Sequence, residues 1–98
     1  MLSKTNRLSA SEVREIIKSG RSVRSATLSA KSEQAAVSKA AVVVSAKVAK
    51  TAVLRNRLRR AAYRTLRTAL PKNTQAVFFL HKPVLDPAEL QQLCLKLS

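Results

Sequence analysis

The sequence predicts a single α+β domain over residues 1–98, a two-layer sandwich in which helices cover one sheet in the order α-β-β-α-β-α, with room for a further short strand. Three observations predict it. Apolar residues recur at helical spacing around Val13-Ile16-Ile17, through residues 47–67, and along the last helix at Leu90, Leu93, Leu95 and Leu97. Alternating or β-branched runs occupy 22–31, 39–46 and 75–81. A 98-residue chain that is 46% hydrophobic has material for one core and not for two.

Each element has a local reason. Residues 1–8 read as a lead-in to the fold. An Arg- and Ser-rich start resembles a transit peptide, but Glu12, Glu15 and the stop at Gly20 argue for a structural helix. Ser9 or Ser11 can cap that helix, and Glu12 and Glu15 lie in its early turns, where the helix dipole favours them. Gly20, the sole glycine, ends it. Residues 22–31 alternate as one strand with Ala26, Leu28 and Ala30 on its apolar face. A polar connection, 32–37, leads to a second, more buried strand at 39–46, and two strands so closely joined should pair antiparallel. A helix from Lys47 ends near Leu70 because Pro71 cannot continue it. Gln75–His81 is the third strand, with Phe78 and Phe79 on opposite faces. Asp86, Pro87 and Glu89 then open a leucine-bearing last helix as cap, first position and third position. The crossover from second strand through helix to third strand would ordinarily be right-handed.

The long helix carries the chemistry. At about 100° per residue, Leu54, Leu58, Ala61, Ala62, Thr65 and Ala69 fall in an arc of roughly 100°, with Leu66 at its border. Arg57, Arg60, Arg64 and Arg67 gather within about 80° on the far side, with Asn56 beside them, and Arg55 and Arg59 flank the apolar stripe. Lys47 and Lys50 stand at its start. No acid occurs between Glu33 and Asp86, so the alternation of signs expected of a merely solvated helix face is missing. The formal net charge is +14 and the pI about 11.5. Such a field seeks a polyanion, and arginine suits bidentate contact with phosphates. The pattern therefore points to nucleic acid.

Other classes are less well supplied. Three aromatics cannot build a broad base-stacking platform. Cys94 is the sole cysteine and reads as a small buried hydrophobe. His81 lies at a strand end without a partner ligand, and the five acids are scattered, so neither a catalytic residue nor a metal site is assigned on the protein. A DNA reader would need a short partner helix before the basic one. A membrane-surface helix would need bulkier apolar residues than alanine and leucine. No membrane partner is expected.

At this point the order of elements and motifs resembles a known family. Arg55-Asn56-Arg57 followed by Leu58-Arg59-Arg60, after a strand ending in hydrophobics and Ser45, resembles the signature of the bacterial ribonuclease P protein component. Asn6-Arg7-Leu8, Gly20-Arg21-Ser22-Val23-Arg24-Ser25 and the Asp-capped helix of Leu85–Leu97 are similar to its other segments. The chain departs from the family pattern at Ala46 and Ala49, where Lys and Gly are usual, and at Val23, where Phe is common.

The resemblance implies a ribosomal protein S5 domain 2-like fold with a left-handed β-α-β crossover. It implies a subunit that binds a large catalytic RNA and helps it remove the 5′ leader of precursor tRNA, a hydrolase activity whose magnesium ions and chemistry belong to the RNA. Lys47, Lys50, Arg55, Arg57, Arg59, Arg60, Arg64 and Arg67 are then expected on the catalytic RNA, and Asn56 either bonds locally or touches RNA. Asn6, Arg7, Val23, Arg24, Thr27 and Lys31 are expected around the leader cleft, with an ordinary sheet role as the alternative for Thr27. A cytoplasmic protein, monomeric in the holoenzyme, is implied. The other reading of the same basic helix is a ribosomal or RNA-chaperone protein.

Overall fold

The computed structural model describes residues 8–97. Three helices, α1 (Ala10–Ser19), α2 (Ala52–Ala69) and α3 (Pro87–Leu97), accompany four strands, β1 (Arg21–Arg24), β2 (Leu28–Gln34), β3 (Lys39–Val43) and β4 (Thr74–Leu80). The α+β class stands, with the extra short strand realised. Residues 22–31 are not one strand. They turn at Ser25–Thr27, where the Ser25 N–H donates to the Leu28 carbonyl (2.8 Å), and β1 pairs antiparallel with β2.

The strands lie in the order β1-β2-β4-β3. β2 and β3 do not pair with each other, as their short connection suggested. β4 lies between them, antiparallel to β2 and parallel to β3. The physical reason lies in β4 itself. Thr74, Ala76, Val77, Phe78 and Leu80 are all buried, so both faces of this strand need cover and the centre of the sheet supplies it. The cost of separating β2 from β3 is the crossover through α2.

One face of the sheet carries the main core. Leu28 and Ala30 of β2, Ala40 and Val42 of β3, and Ala76, Phe78 and Leu80 of β4 pack with Leu58, Ala62, Tyr63 and Leu66 of α2 and Leu90, Leu93 and Cys94 of α3. Fully burying each Leu or Phe contributes about 1.5–3 kcal/mol. The buried stripe of α2 is rotated from the expected one: Tyr63 and Leu66 are in it, while Leu54, Ala61, Thr65 and Ala69 lie along its edges. Tyr63 enters because its hydroxyl accepts the Val42 N–H (3.2 Å), a donor left open on edge strand β3.

The other face carries α1, which touches β2 and β4. Ile16 of α1 and Val77 of β4 are both fully buried yet outside the main cluster, where α1 meets the sheet. The Ser9 hydroxyl accepts the Glu12 N–H while the Glu12 carboxylate accepts the Ser9 N–H (2.9 Å), a closed capping box. Gly20 ends α1 with φ at −73°, so no left-handed backbone is involved. Its need is space: a Cβ there would lie 2.6 Å from the Ile16 carbonyl oxygen.

The last helix departs from its expected cap. Asp86 Oδ1 accepts the Ala88 N–H (3.0 Å), but Glu89 does not turn back to complete a box. Its carboxylate instead crosses to the β1–β2 turn, accepting the Ser25 hydroxyl, the Thr27 N–H (2.8 Å) and the Thr27 hydroxyl (2.9 Å). These bonds, the Ser25 hydroxyl first and the Thr27 N–H next, hold the Glu89 carboxyl below its ordinary pKa.

Candidate nucleic-acid interface

Two surfaces bring basic residues together. The first is the outer side of α2 with the loop before it. Lys47 and Lys50 are not helical: α2 starts at Ala52, capped by Thr51, whose hydroxyl accepts the Leu54 N–H (3.2 Å). The loop is held at both ends by buried Val44 and Ala49, and the Ser45 carbonyl accepts N–H donors from Val48 (3.1 Å) and Ala49 (3.0 Å). Lys47 and Lys50 project from it, exposed.

Along α2 the arginines divide by environment. Arg57, Arg60 and Arg64 are exposed and, among the described residues, join no ion pair. Arg67 is exposed in the last turn, where a cation complements the helix dipole. Arg55 and Arg59 are half-buried. The Arg55 guanidinium donates to the carbonyls of Ala49 (2.9 Å) and Lys50 (3.3 Å). Arg59 donates to Asn56 Oδ1, so Asn56 makes a side-chain contact on its own helix. The ion pair of Lys39 with Glu12 (3.3 Å) lies elsewhere, between β3 and α1.

The second surface is the part of the sheet that α1 leaves open. Register places Ser22 beside Lys31 and Val77 in one row, and Arg24 beside Ser29 and Phe79 in the next. Ser22, Arg24, Ser29, Lys31 and Phe79 of these rows flank a depression of about 310 Å³. Lys31 Nζ donates to the Ile17 carbonyl (2.8 Å), at the negative end of α1, and so joins helix to sheet along the cleft wall. The Ser29 hydroxyl and His81 Nε2 are 2.7 Å apart at the far end.

Of the residues expected around this cleft, Arg24 and Lys31 come together there. Asn6 and Arg7 lie outside the described residues. Val23 borders the depression as a strand neighbour, but it pairs with Ala30 and packs against the core on the opposite face. Thr27 is engaged by Glu89 and belongs to the anchor of α3. Phe79, Ser22 and Ser29 line the depression without having been in the expected set, and His81 reaches it through Ser29. Phe79 was within reach of the sequence, since alternation against buried Phe78 sends it to the open face. Ser29 and His81 were not, because their meeting depends on the β2–β4 register.

Other chemistry finds little footing. Among the described residues no three His, Cys, Asp or Glu side chains gather as a metal site. Burial pushes the Cys94 thiol up to about 11, which keeps it neutral and unreactive. No helix among them is long and apolar enough to cross a membrane.

With this geometry in hand, likeness to known proteins is informative. No curated protein sequence matches the chain. Among solved structures it is similar to the RNase P protein of Staphylococcus aureus, with 20% identity, 96% of this chain and 95% of that chain covered, and a TM-score of 0.76. It is similar to a mutant of the Staphylococcus aureus RNase P protein with defective mRNA degradation activity, at 18% identity, 95% and 85% coverage and a TM-score of 0.77. It is also similar to the RNase P protein from Thermotoga maritima, at 22% identity, 93% coverage of each chain and a TM-score of 0.75. At these identities the likeness establishes the fold. The family model for ribonuclease P matches residues 2–98, and on that near-complete match the chain belongs to the ribonuclease P protein family.

Proposed function

We propose that this chain is the protein subunit of a ribonuclease P ribonucleoprotein, binding the catalytic RNA along the outer side of α2 and the precursor tRNA leader across the open sheet face. The observation that carries this reading is the exposed Arg57-Arg60-Arg64 row on a helix whose neighbourhood in sequence holds no acid. Three exposed guanidinium groups one turn apart repel one another, and a phosphate backbone relieves that repulsion. Arg24 and Lys31 supply charge to the leader cleft, and Phe79 supplies a ring face on which one unpaired base can stack. The protein positions and neutralises; magnesium and the hydrolytic step belong to the RNA, since the carboxylates here are dispersed or committed to caps and turns.

The decisive experiment is 5′-leader removal from a precursor tRNA by ribonuclease P RNA of the same source, at low magnesium, with and without the protein. Stimulation is expected, and the Arg57→Ala/Arg60→Ala protein should lose it while remaining folded. The same pair should lower the salt slope of RNA binding by about two, roughly one per phosphate contact removed. No stimulation, with salt-sensitive binding to unrelated RNAs, would favour the RNA-chaperone reading. Magnesium-dependent cleavage by the RNA-free protein would overturn the accessory role.

A further inference from the structure

We propose that Arg55 is a positioning residue of the RNA-binding surface and not one of its phosphate ligands: it clamps the loop that carries Lys47 and Lys50. The inference rests on the reading of α2 as the face for the catalytic RNA.

The loop between β3 and α2 contains no glycine and must leave the sheet, tuck Ala49 into the core and enter a helix within a few residues. Its amides are served by the Ser45 carbonyl, and the first turn of α2 by Thr51. The Arg55 side chain serves the carbonyls of Ala49 and Lys50, one nitrogen donating to both. Arg55 itself is fixed one turn into α2 by the bond from its N–H to the Thr51 carbonyl (3.0 Å). Helix, cap and loop thus form one closed unit around a half-buried guanidinium. Both N–H groups of one guanidinium nitrogen are directed at the two carbonyls and the group is half-buried, so the loop has first claim on it, whereas Lys47 and Lys50 are exposed on the same loop and present their ammonium groups to solvent. Lysine is a poor substitute for the clamp. Its single ammonium is a strongly hydrated point charge on a flexible stem, without the planar donor array.

The test compares Arg55→Ala, Arg55→Lys, Lys47→Ala/Lys50→Ala and the combined triple variant. Amide hydrogen exchange in the free proteins reads the clamp. Salt-dependent binding to ribonuclease P RNA reads the consequence. Exchange at Val48 and Ala49 should accelerate in both Arg55 variants, with global unfolding unchanged by circular dichroism. RNA affinity should fall about tenfold in both, with the salt slope within error of wild type, and Arg55→Ala should add less than about twofold once Lys47 and Lys50 are gone. A phosphate ligand behaves otherwise: Arg55→Lys retains affinity, Arg55→Ala lowers the slope by about one, and its effect persists in the lysine-free background. That pattern, or unchanged exchange, overturns the proposal. If the wild-type protein binds no ribonuclease P RNA, the reading of α2 falls, and exchange alone then decides whether the clamp exists.

Discussion

Glu89 couples parts of the chain that have no sequence relation. Its carboxylate takes donors from Ser25 and Thr27, and so the start of α3 holds the turn that aims Arg24 along the cleft. Because the folded-state pKa is lowered, this contribution is present in full above the ordinary carboxylate range. It is lost as pH falls through the folded value. Glu89→Gln should therefore cost about 1 kcal/mol at pH 7, the hydrogen-bond value discounted for nearby solvent. The difference from wild type should shrink on descending below the unfolded carboxylate pKa. Urea unfolding at pH 7, 5 and 3 measures both points, and a difference independent of pH would mean the charge on Glu89 is irrelevant. Tyr63→Phe isolates another single bond. It leaves the Val42 N–H unsatisfied at low cost in packing, and should lose about 1 kcal/mol in the same titration.

At the scale of elements, what the sequence announced was what neighbouring residues decide. A serine at 9 or 11, and Asp86 before Pro87, mark helix starts from neighbouring residues; the structure selects Ser9, boxed with Glu12, and starts the last helix at Pro87 as expected. Ser9→Ala should cost about 1 kcal/mol, visible as a lower denaturant midpoint with unchanged slope. No loss would mean that α1 is held by its packing and side-chain contacts with the sheet rather than by its cap. Other boundaries were hidden for physical reasons. The turn at Ser25–Thr27 carries no Gly, Pro or Asn, since Glu89 supplies its missing partner from another helix. The segment from Lys47 to Lys50 is built of residues that favour helix, but Val44 and Ala49 are anchored in the core and Thr51 sets the helix start. The exchange of neighbours in the sheet, with β4 between β2 and β3, reflects burial of β4 on both faces; its continuous apolar run permits a central place, but which strands flank it is set by long-range pairing. Of the two basic surfaces, α2 was legible because one helix holds it. The cleft was legible only in part, because three strands and α1 assemble it.

For the molecule as a whole, the charge proposed to attract RNA also opposes folding. A net charge of +14 on a domain with a Cα radius of gyration of 12.2 Å repels itself, and screening relieves part of that repulsion. Raising salt should then act with opposite signs, increasing the thermal midpoint of the free protein while weakening RNA binding. One substitution separates the two effects. Arg60→Glu places a carboxylate four residues before Arg64 and three after Arg57, on an exposed helix face. Each such pair contributes about 0.2–0.5 kcal/mol, and for a domain of this size the two together should raise the midpoint by roughly 2–6 °C at low salt. The gain should fade as salt rises, because exposed pairs are screened. The same substitution should weaken binding to ribonuclease P RNA by tenfold or more, since it reverses a charge in the centre of the arginine row. Thermal unfolding and RNA titration at matched ionic strengths provide both readings. A midpoint that fell at low salt, with RNA affinity intact, would mean that the arginine row is a structural feature and that the RNA lies elsewhere on the protein. A raised midpoint with lost affinity would identify the row as a surface that gives up stability for its partner.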